Sequence, residues 1–113
     1  MIKKDAQFSV FQQLDIRVGR VTKINDFPEA NIPAFKIEVD FGDIGTLKTS
    51  AQLTENYTKE KLLNQKVIAV VNFPDKQIAN FMSQCLILGI LDAKKGIVLI
   101  QPEQDVEIGS RIA

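Results

Sequence analysis

The sequence predicts a mainly β protein whose 113 residues, 1–113, form one small domain. Apolar and polar residues alternate with the period of two that is typical of a half-buried strand, most clearly over Phe35–Phe41. Glycine, proline and asparagine residues separate several such segments at short intervals. A second independent domain would leave each half too small to bury a hydrophobic core, so we expect a single domain.

The first half of the chain predicts a short helix and two strands. Ser9-Val10-Phe11-Gln12 fits a capping box, which predicts a short helix at this position. The imperfect alternation over Leu14–Ile24 predicts a long first strand, with Gly19 at a bulge or bend. The proline-containing segment Phe27–Pro33 predicts a loop before the second strand, Phe35–Phe41.

The second half predicts a hairpin, a second short helix and further strands. Gly42-Asp43-Ile44-Gly45 supplies the turn into a third strand over Thr46–Ser50. Thr58–Asn64 predicts a helix that Thr58 caps and that ends near Asn64, a residue that tolerates the left-handed conformation. The remaining elements are the strands Lys66–Phe73 and Gln84–Leu91, the turn Asp92–Gly96 and the strand Ile97–Ile100.

Three strands, a short helix and two further strands follow the order of an OB-type barrel, a small sheet that closes on itself and removes exposed edges. The sequence therefore predicts a five-stranded OB-fold barrel with a short helix between strands 3 and 4 and with N- and C-terminal extensions. A generic small barrel or a β-sandwich has the same alternation, so spacing alone leaves those alternatives open.

Composition narrows the function. The chain has no histidine and one cysteine, Cys85, in an apolar run where an inert thiol is expected, so the usual zinc sites and histidine-dependent catalysis are excluded. We expect no enzyme, no metal and no cofactor. Fourteen basic residues balance fourteen acidic ones, which predicts only modest affinity for nucleic acid. Without an apolar run of roughly 20 residues or a secretory signal, we expect a cytoplasmic protein with no membrane insertion.

The segment between the two core strands of the second half, Asn72–Ser83, contains residue types that a simple turn does not need. Pro74 restricts Phe73 to extended geometry. In an OB barrel this connection lies beside the ligand-binding face. Its hydrogen-bonding, cationic and aromatic side chains are Asn72, Ser83, Lys76, Phe73 and Phe81.

With its flanks, the segment Lys66–Gly89 resembles the core motif of the tRNA-binding-domain family, which includes the C-terminal domains of some methionyl-tRNA synthetases and the endothelial monocyte-activating polypeptide type of domain. Within that family the chain resembles the small export-related chaperones of the CsaA type. The resemblance extends from about Phe11 to Gly109. The further blocks that recur at similar spacing are Leu14–Val21, Phe27–Ala30, Ile32–Ala34, Val39–Gly42, Ser50–Leu53 and Gln101-Pro102.

The resemblance implies an OB fold, a homodimer and a ligand surface near the dimer interface. It implies either a chaperone that binds unfolded or presecretory polypeptides for export or a structure-selective tRNA-binding protein. The zero net charge favours the first and the motif favours the second, so both stay open. The predicted ligand-binding residues are Asn72, Phe73, Pro74, Lys76, Phe81 and Ser83, with Ser50 and Gln52 nearby.

Two positions depart from the family pattern. Asn80 stands where the family usually has glycine, the residue that most freely takes positive φ, and Gln84 stands where the chaperones usually have glutamate. The candidate residues also have structural interpretations. Phe73 and Phe81 are compatible with core packing, and Lys76 with a solvated loop. Asn72 and Ser83 are compatible with hydrogen bonds to loop backbone.

Overall fold

The computed structural model describes every residue, 1–113, and consists mainly of β-strands. Its helices are α1 (Phe8–Gln12), α2 (Lys59–Leu62) and a single 3-10 turn, Gly42–Ile44. No helix in the protein combines the length and the apolar character needed to cross a membrane. The strands are β1 (Ile16–Asp26), β2 (Phe35–Asp40), β3 (Thr46–Ala51), β4 (Lys66–Val70), β5 (Lys76–Ile78), β6 (Phe81–Ser83), β7 (Leu86–Ile87), β8 (Gly89–Asp92) and β9 (Gly96–Leu99).

Five of these strands form the main sheet, in the order β3-β2-β1-β4-β7, and all neighbours are antiparallel. The sheet curls so that β3 approaches β7 and forms a nearly closed barrel. Helix α2 lies between β3 and β4. The predicted five-stranded OB-type barrel with a helix between strands 3 and 4 is therefore confirmed.

The core fills the inside of this barrel. Alternation along β2 turns Phe35, Ile37 and Val39 inward, and each is at most 8% exposed. Leu62 closes one side from α2 and is completely buried. Burial of a side chain of this size stabilises the fold by about 1.5–3 kcal/mol.

Strand β1 is long because its two halves pair with different neighbours. Residues 16–20 pair with β4 and residues 20–26 pair with β2. The register shifts between Val21 and Lys23, so the bulge predicted at Gly19 is wrong. Gly19 pairs regularly with Val67, and a Cβ atom at this position would lie 2.4 Å from Val39 Cγ1. Glycine is needed here for close packing, not for a bend.

Capping differs between the two helices. Helix α1 begins after Gln7, whose carbonyl accepts from Val10 N at 2.9 Å, and no side chain caps it. The capping box predicted at Ser9 is therefore wrong, since Ser9 lies inside the helix. In α2 the Thr58 hydroxyl accepts from Lys61 N at 3.2 Å, and Asn64 follows the helix with φ 70°, as predicted.

The chain after β4 is more broken than predicted. The strand predicted to reach Phe73 ends at Val70, and the connection Asn72–Ser83 contains a hairpin of β5 and β6. The strand predicted over Gln84–Leu91 divides into β7, which joins the barrel, and β8, which pairs only with β9. Apolar runs of this kind predict a strand but not which neighbour it joins.

The C-terminal extension lies along the edge of β1 that β2 leaves free. Gly109 N donates to Val18 O at 2.7 Å, and Val18 N donates to Ser110 O at 3.0 Å. Ile112 N continues the pattern by donating to Ile16 O at 2.9 Å. The extension thus satisfies backbone groups that would otherwise form an open sheet edge.

Candidate functional site

The main cavity has a volume of about 830 Å³ and opens where the barrel is incompletely closed. Thirteen of its twenty lining residues are hydrophobic, so it suits an apolar ligand with a few polar groups. Its walls come from five places: the loop around residues 30–34, residues 50–53 at the end of β3, the hairpin region 73–79, residues 83–88 around β7, and Ile97 of β9.

The barrel closes beside this cavity through side chains as well as backbone. Gln84 N donates to Lys48 O at 2.7 Å, and Gln84 Oε1 accepts from Lys48 N at 2.9 Å. The buried Thr49 hydroxyl donates to Cys85 O at 2.6 Å and lies 3.0 Å from Ser83 Oγ. These contacts join β3 to the start of β7, and we call them the seam.

Six of the eight predicted ligand residues line the cavity. They are Ser50, Gln52, Phe73, Pro74, Lys76 and Ser83. Phe73 is 43% exposed, so it is available to a ligand instead of being buried in the core. Ser83 has a second role, because its hydroxyl belongs to the seam.

Asn72 lies outside the cavity lining. Its Oδ1 accepts from Asp15 N at 2.8 Å, and its Nδ2 donates to Gln13 O at 2.8 Å. Both polar atoms thus hold the segment between α1 and β1, which supports the structural interpretation of this residue. Its contact with a ligand stays a prediction.

Phe81 also lies outside the cavity lining and packs edge-on against Phe27, with ring centroids 5.5 Å apart. Two ammonium groups lie over its ring, Lys36 Nζ at 5.8 Å and Lys48 Nζ at 5.9 Å from the centroid. Lys36 Nζ also lies 5.1 Å from the centroid of Phe27. We call these four residues the cation–aromatic cluster, and such an arrangement is suited to unpaired bases and phosphates.

The cation–aromatic cluster and the cavity form a locally positive face on a protein of zero net charge. None of Lys36, Lys48 and Lys76 forms an ion pair, since the ion pairs of the protein join other residues. Glu38 is the cross-strand partner of Lys48 and forms an ion pair with Lys23. Glu29 is the counter-charge beside Lys36. Hydrogen bonds from its own backbone N–H and from Asn80 lower the pKa of this carboxyl, and Lys36 contributes a smaller lowering.

Sequence reasoning missed Phe27, Lys36 and Lys48 as one group. Lys36 and Lys48 alternate with inward-facing residues of β2 and β3, and the register pairs Lys36 with Ser50 and Glu38 with Lys48. The period of two and the short turn at Gly42–Gly45 would have placed both lysines on the outer face. Nothing in the sequence indicates that Phe27 and Phe81, far apart in the chain, pack together.

The two departures from the family pattern have clear structural positions. The hairpin turn takes positive φ at Ala79, with φ 52°, while Asn80 does not. The left-handed residue of this turn is therefore Ala79, and Asn80 Nδ2 donates to Glu29 Oε2 at 3.2 Å. Gln84 lines the cavity, so the position without the charge lies beside the candidate ligand surface, and its side-chain oxygen accepts from Lys48 N in the seam.

Cys85 lines the cavity wall but is only 7% exposed. Burial raises the pKa of its thiol to about 11, so it carries no charge near neutral pH and is a poor nucleophile. No three histidine, cysteine, aspartate or glutamate residues come close enough together to hold a metal ion. The chemical character of the site is therefore apolar and cationic.

The geometry agrees with comparisons to known proteins. The model of the family described as putative tRNA binding domain matches residues 16–111. The chain belongs to this family. Among solved structures, this chain is similar to the CsaA chaperone protein from Picrophilus torridus, at 47% identity and a TM-score of 0.92 over 96% of this chain and 100% of that one.

Other relatives of this tRNA-binding-domain protein differ in size. The chaperone CsaA from Bacillus anthracis is 42% identical, with a TM-score of 0.92 over 97% of this chain and 100% of that one. The methionine–tRNA ligase of Pyrococcus abyssi is 33% identical over 94% of this chain, which spans only 14% of that ligase. The matches are to tRNA-binding and chaperone domains, not to catalytic ones.

Proposed function

We propose that this protein is a molecular chaperone that binds unfolded polypeptides, including presecretory ones, in the cytoplasm before export, without catalysing a reaction. The single observation that carries this proposal is the cavity of about 830 Å³, which is mostly apolar and lies open at the surface. A folded protein hides its apolar side chains, whereas an unfolded one offers them to such a cavity.

The contacts that support binding divide by chemistry. Exposed apolar groups, among them Phe73 and Leu86, would bury side chains of the client. Lys76, Ser50 and Gln52 supply polar groups at the margins. Few directional contacts and a broad apolar wall give weak affinity for many sequences, which a chaperone needs.

A second candidate function is structure-selective tRNA binding, and the cation–aromatic cluster favours it. Phe81 offers a flat surface on which an unpaired base can stack, while Lys36 and Lys48 lie close enough to contact the adjoining phosphates. The cluster adjoins the cavity, because Ile78 of the cavity wall pairs with Phe81 in the hairpin. One ligand on this face would therefore hinder the other.

We further propose a homodimer. Apolar residues of α1 are strongly exposed, including Phe8 at 70% and Val10 at 51%, and Ile112 of the C-terminal extension is 38% exposed. No side chain of α1 is buried, so the helix gains little from packing within one chain. A second copy is the proposed cover for this apolar surface. Light scattering with size exclusion that gives a monomer mass at micromolar concentration would contradict the dimer.

The deciding experiment compares an unfolded reporter protein with labelled tRNA on matched variants. Leu86→Gln changes the cavity wall, and Leu91→Gln is its control, because Leu91 is 86% exposed outside the cavity. Lys48→Gln changes the cation–aromatic cluster, and Lys94→Gln removes an exposed charge in the turn between β8 and β9.

For a chaperone, Leu86→Gln weakens reporter binding by about tenfold while both controls leave it unchanged. For tRNA binding, Lys48→Gln weakens tRNA binding, and affinity falls steeply between low and moderate salt. Failure of the wild-type protein to bind the reporter would overturn the first proposal. Equal loss with Leu86→Gln and Leu91→Gln would also count against it, since the cavity would then not be the site.

A further inference from the structure

The outer edge of β3 carries a backbone N–H group without a partner at Ser50. Phe41 N donates to Gly45 O at 3.0 Å, which makes this a hydrogen-bonded pair of the β2–β3 ladder. Antiparallel ladders alternate between hydrogen-bonded and non-hydrogen-bonded pairs, so Ile37 and Thr49 also exchange hydrogen bonds. The backbone groups of Lys48 and Ser50 therefore point away from β2. Lys48 uses these groups in the seam with Gln84. Two residues further on, the Ser50 carbonyl accepts from the Thr49 hydroxyl at 3.3 Å, while the Ser50 N–H meets no acceptor outside that ladder.

The facing edge of β7 shows the same alternation. Leu88 N donates to Ile68 O at 2.8 Å, and two residues earlier Leu86 pairs with Val70. Because hydrogen-bonded pairs alternate with non-hydrogen-bonded ones, the backbone groups of Cys85 and Ile87 point away from β4. Cys85 O is satisfied by the Thr49 hydroxyl at 2.6 Å in the seam. Ile87 N–H and C=O form no hydrogen bond outside the β4–β7 ladder.

Both edges lie in the wall of one cavity. Ser50, Gln52 and Ile87 all line it, directly beyond the point where Gln84 and Thr49 close the barrel. The cavity is therefore the part of the barrel in which the seam is left open. Strand edges whose N–H and C=O groups are free accept another extended chain readily.

We infer that a client polypeptide binds here as an added strand, paired with the edge of β3 at Ser50 and with its alternate side chains in the apolar cavity. This inference rests on the proposed chaperone function and deepens it by naming the mode of recognition. Backbone pairing is independent of side-chain identity, which is how a strand-addition site accepts many sequences. Nucleic acid has no regular series of N–H and C=O groups to pair with this edge.

The cavity is matched to that occupant in shape and chemistry. Side chains of an added strand alternate between its two faces, so one set would enter the apolar wall formed by Leu86, Leu88 and Ile97. Phe73 and Pro74 border the same opening from the segment that precedes β5. The cation–aromatic cluster lies outside the cavity lining, so an added strand would not cover it, and its lysines could contact an anionic group.

The first test uses a labelled extended peptide of apolar residues with one phenylalanine to fix its register. Single N-methylation of each peptide amide in turn removes a backbone donor without changing any side chain. We expect the dissociation constant to rise by about tenfold at every second amide over the bound stretch, because those amides face β3. Equal sensitivity at all positions, or at none, would overturn strand addition.

The second test changes the protein edge. Ser50→Pro removes the unpaired N–H that faces the cavity, and Thr46→Pro is the matched control, since Thr46 has the same orientation on β3 but lies outside the cavity. We expect Ser50→Pro to weaken the peptide by about fivefold or more and Thr46→Pro to leave it unchanged. If Ser50→Pro fails to fold, the N-methyl series decides alone.

The outcomes separate the two proposals. A wild-type protein that binds no peptide and no unfolded reporter would overturn both the chaperone function and strand addition. Peptide binding that ignores N-methylation would overturn strand addition alone and leave side-chain recognition in the cavity. Peptide binding that appears only when the protein is diluted to monomers would show that a second copy covers the free edge of β3 in the dimer. This result too would overturn the inference.

Discussion

Gln84 and Lys48 close the barrel through two hydrogen bonds, one from Gln84 N to Lys48 O at 2.7 Å and one from Lys48 N to Gln84 Oε1 at 2.9 Å. The side-chain amide of Gln84 thus takes the place that a backbone carbonyl would hold in a continuous ladder. The cavity begins immediately beyond this pair, so the pair sets where the barrel stops being closed.

Gln84→Ala should destabilise the protein by about 1 kcal/mol, because Lys48 N loses its acceptor. Gln84→Glu should cost less, since a carboxylate oxygen also accepts a hydrogen bond. Urea unfolding measures both, with Gln104→Ala as the control because the exposed Gln104 side chain hydrogen-bonds only to its neighbour Glu103. Equal stability of the Ala variant and the wild type would contradict this role.

Asn72→Ala should destabilise the protein by about 1–2 kcal/mol, because the side chain accepts from Asp15 N and donates to Gln13 O in the segment that precedes β1. The matched variant is Asn25→Ala, since Asn25 is exposed and its side chain forms no hydrogen bond. Thermal unfolding checks the difference. If Asn72→Ala instead keeps its stability and loses ligand affinity, Asn72 is a ligand contact as the family resemblance implied.

Gly19→Ala should destabilise by about 1–3 kcal/mol, because the new methyl group would overlap Val39 Cγ1 and the ring of Phe41. The double variant Gly19→Ala with Val39→Ala removes one of the overlapping groups, so its loss should be smaller than the sum of the two single losses. Denaturant titration of the four proteins in this cycle gives the coupling. Strictly additive losses of stability would mean that contact with Val39 is not what excludes a larger residue at position 19.

Ala79→Val should disturb the β5–β6 hairpin by about 1–3 kcal/mol, since Ala79 has φ 52° and a β-branched residue is strained there. Asn80→Gly should change it by less than about 1 kcal/mol, although Asn80 loses its contact with Glu29. Amide hydrogen exchange over Lys76–Ser83 measures both. A larger loss of protection for Asn80→Gly than for Ala79→Val would contradict the positive φ at Ala79 and indicate it at Asn80.

The buried Cys85 thiol makes stability depend on alkaline pH. Folding raises its pKa to about 11, so the folded state keeps the proton longer than the unfolded state. The neutral thiol adds its full share, about 3 kcal/mol, to the free energy of unfolding below roughly pH 8.5, the usual thiol pKa. That share is lost as the pH rises through about 11. The difference in unfolding free energy between the wild type and Cys85→Ala should shrink over this range. A pH-independent difference would contradict the raised pKa.

Local pattern predicted much of the barrel. The alternation of Phe35, Ile37 and Val39 identified β2 and its buried face, and Thr58 and Asn64 bounded the helix between strands 3 and 4. These features depend on residues that are close together in the chain, and the period of two or the needs of a helix end determine them directly. The candidate site was found in part for the same reason, since its residues lie in one connection and one strand end.

Tertiary structure decided the rest. The apolar run from Gln84 to Leu91 indicates strand, but the close approach of Gly89 to Ile97 and the pairing of β8 with β9 separate it from β7. The ladder alternation that leaves the N–H of Ser50 and the N–H and C=O of Ile87 without partners depends on which strands are neighbours, as does the approach of Phe27 to Phe81. The sequence by itself located the strands β1 to β4 and the apolar face of β2, because those are local properties, but it did not indicate β5 and β6. Only the closed sheet decided which edges meet, because contacts between residues distant in the chain follow from packing the whole barrel.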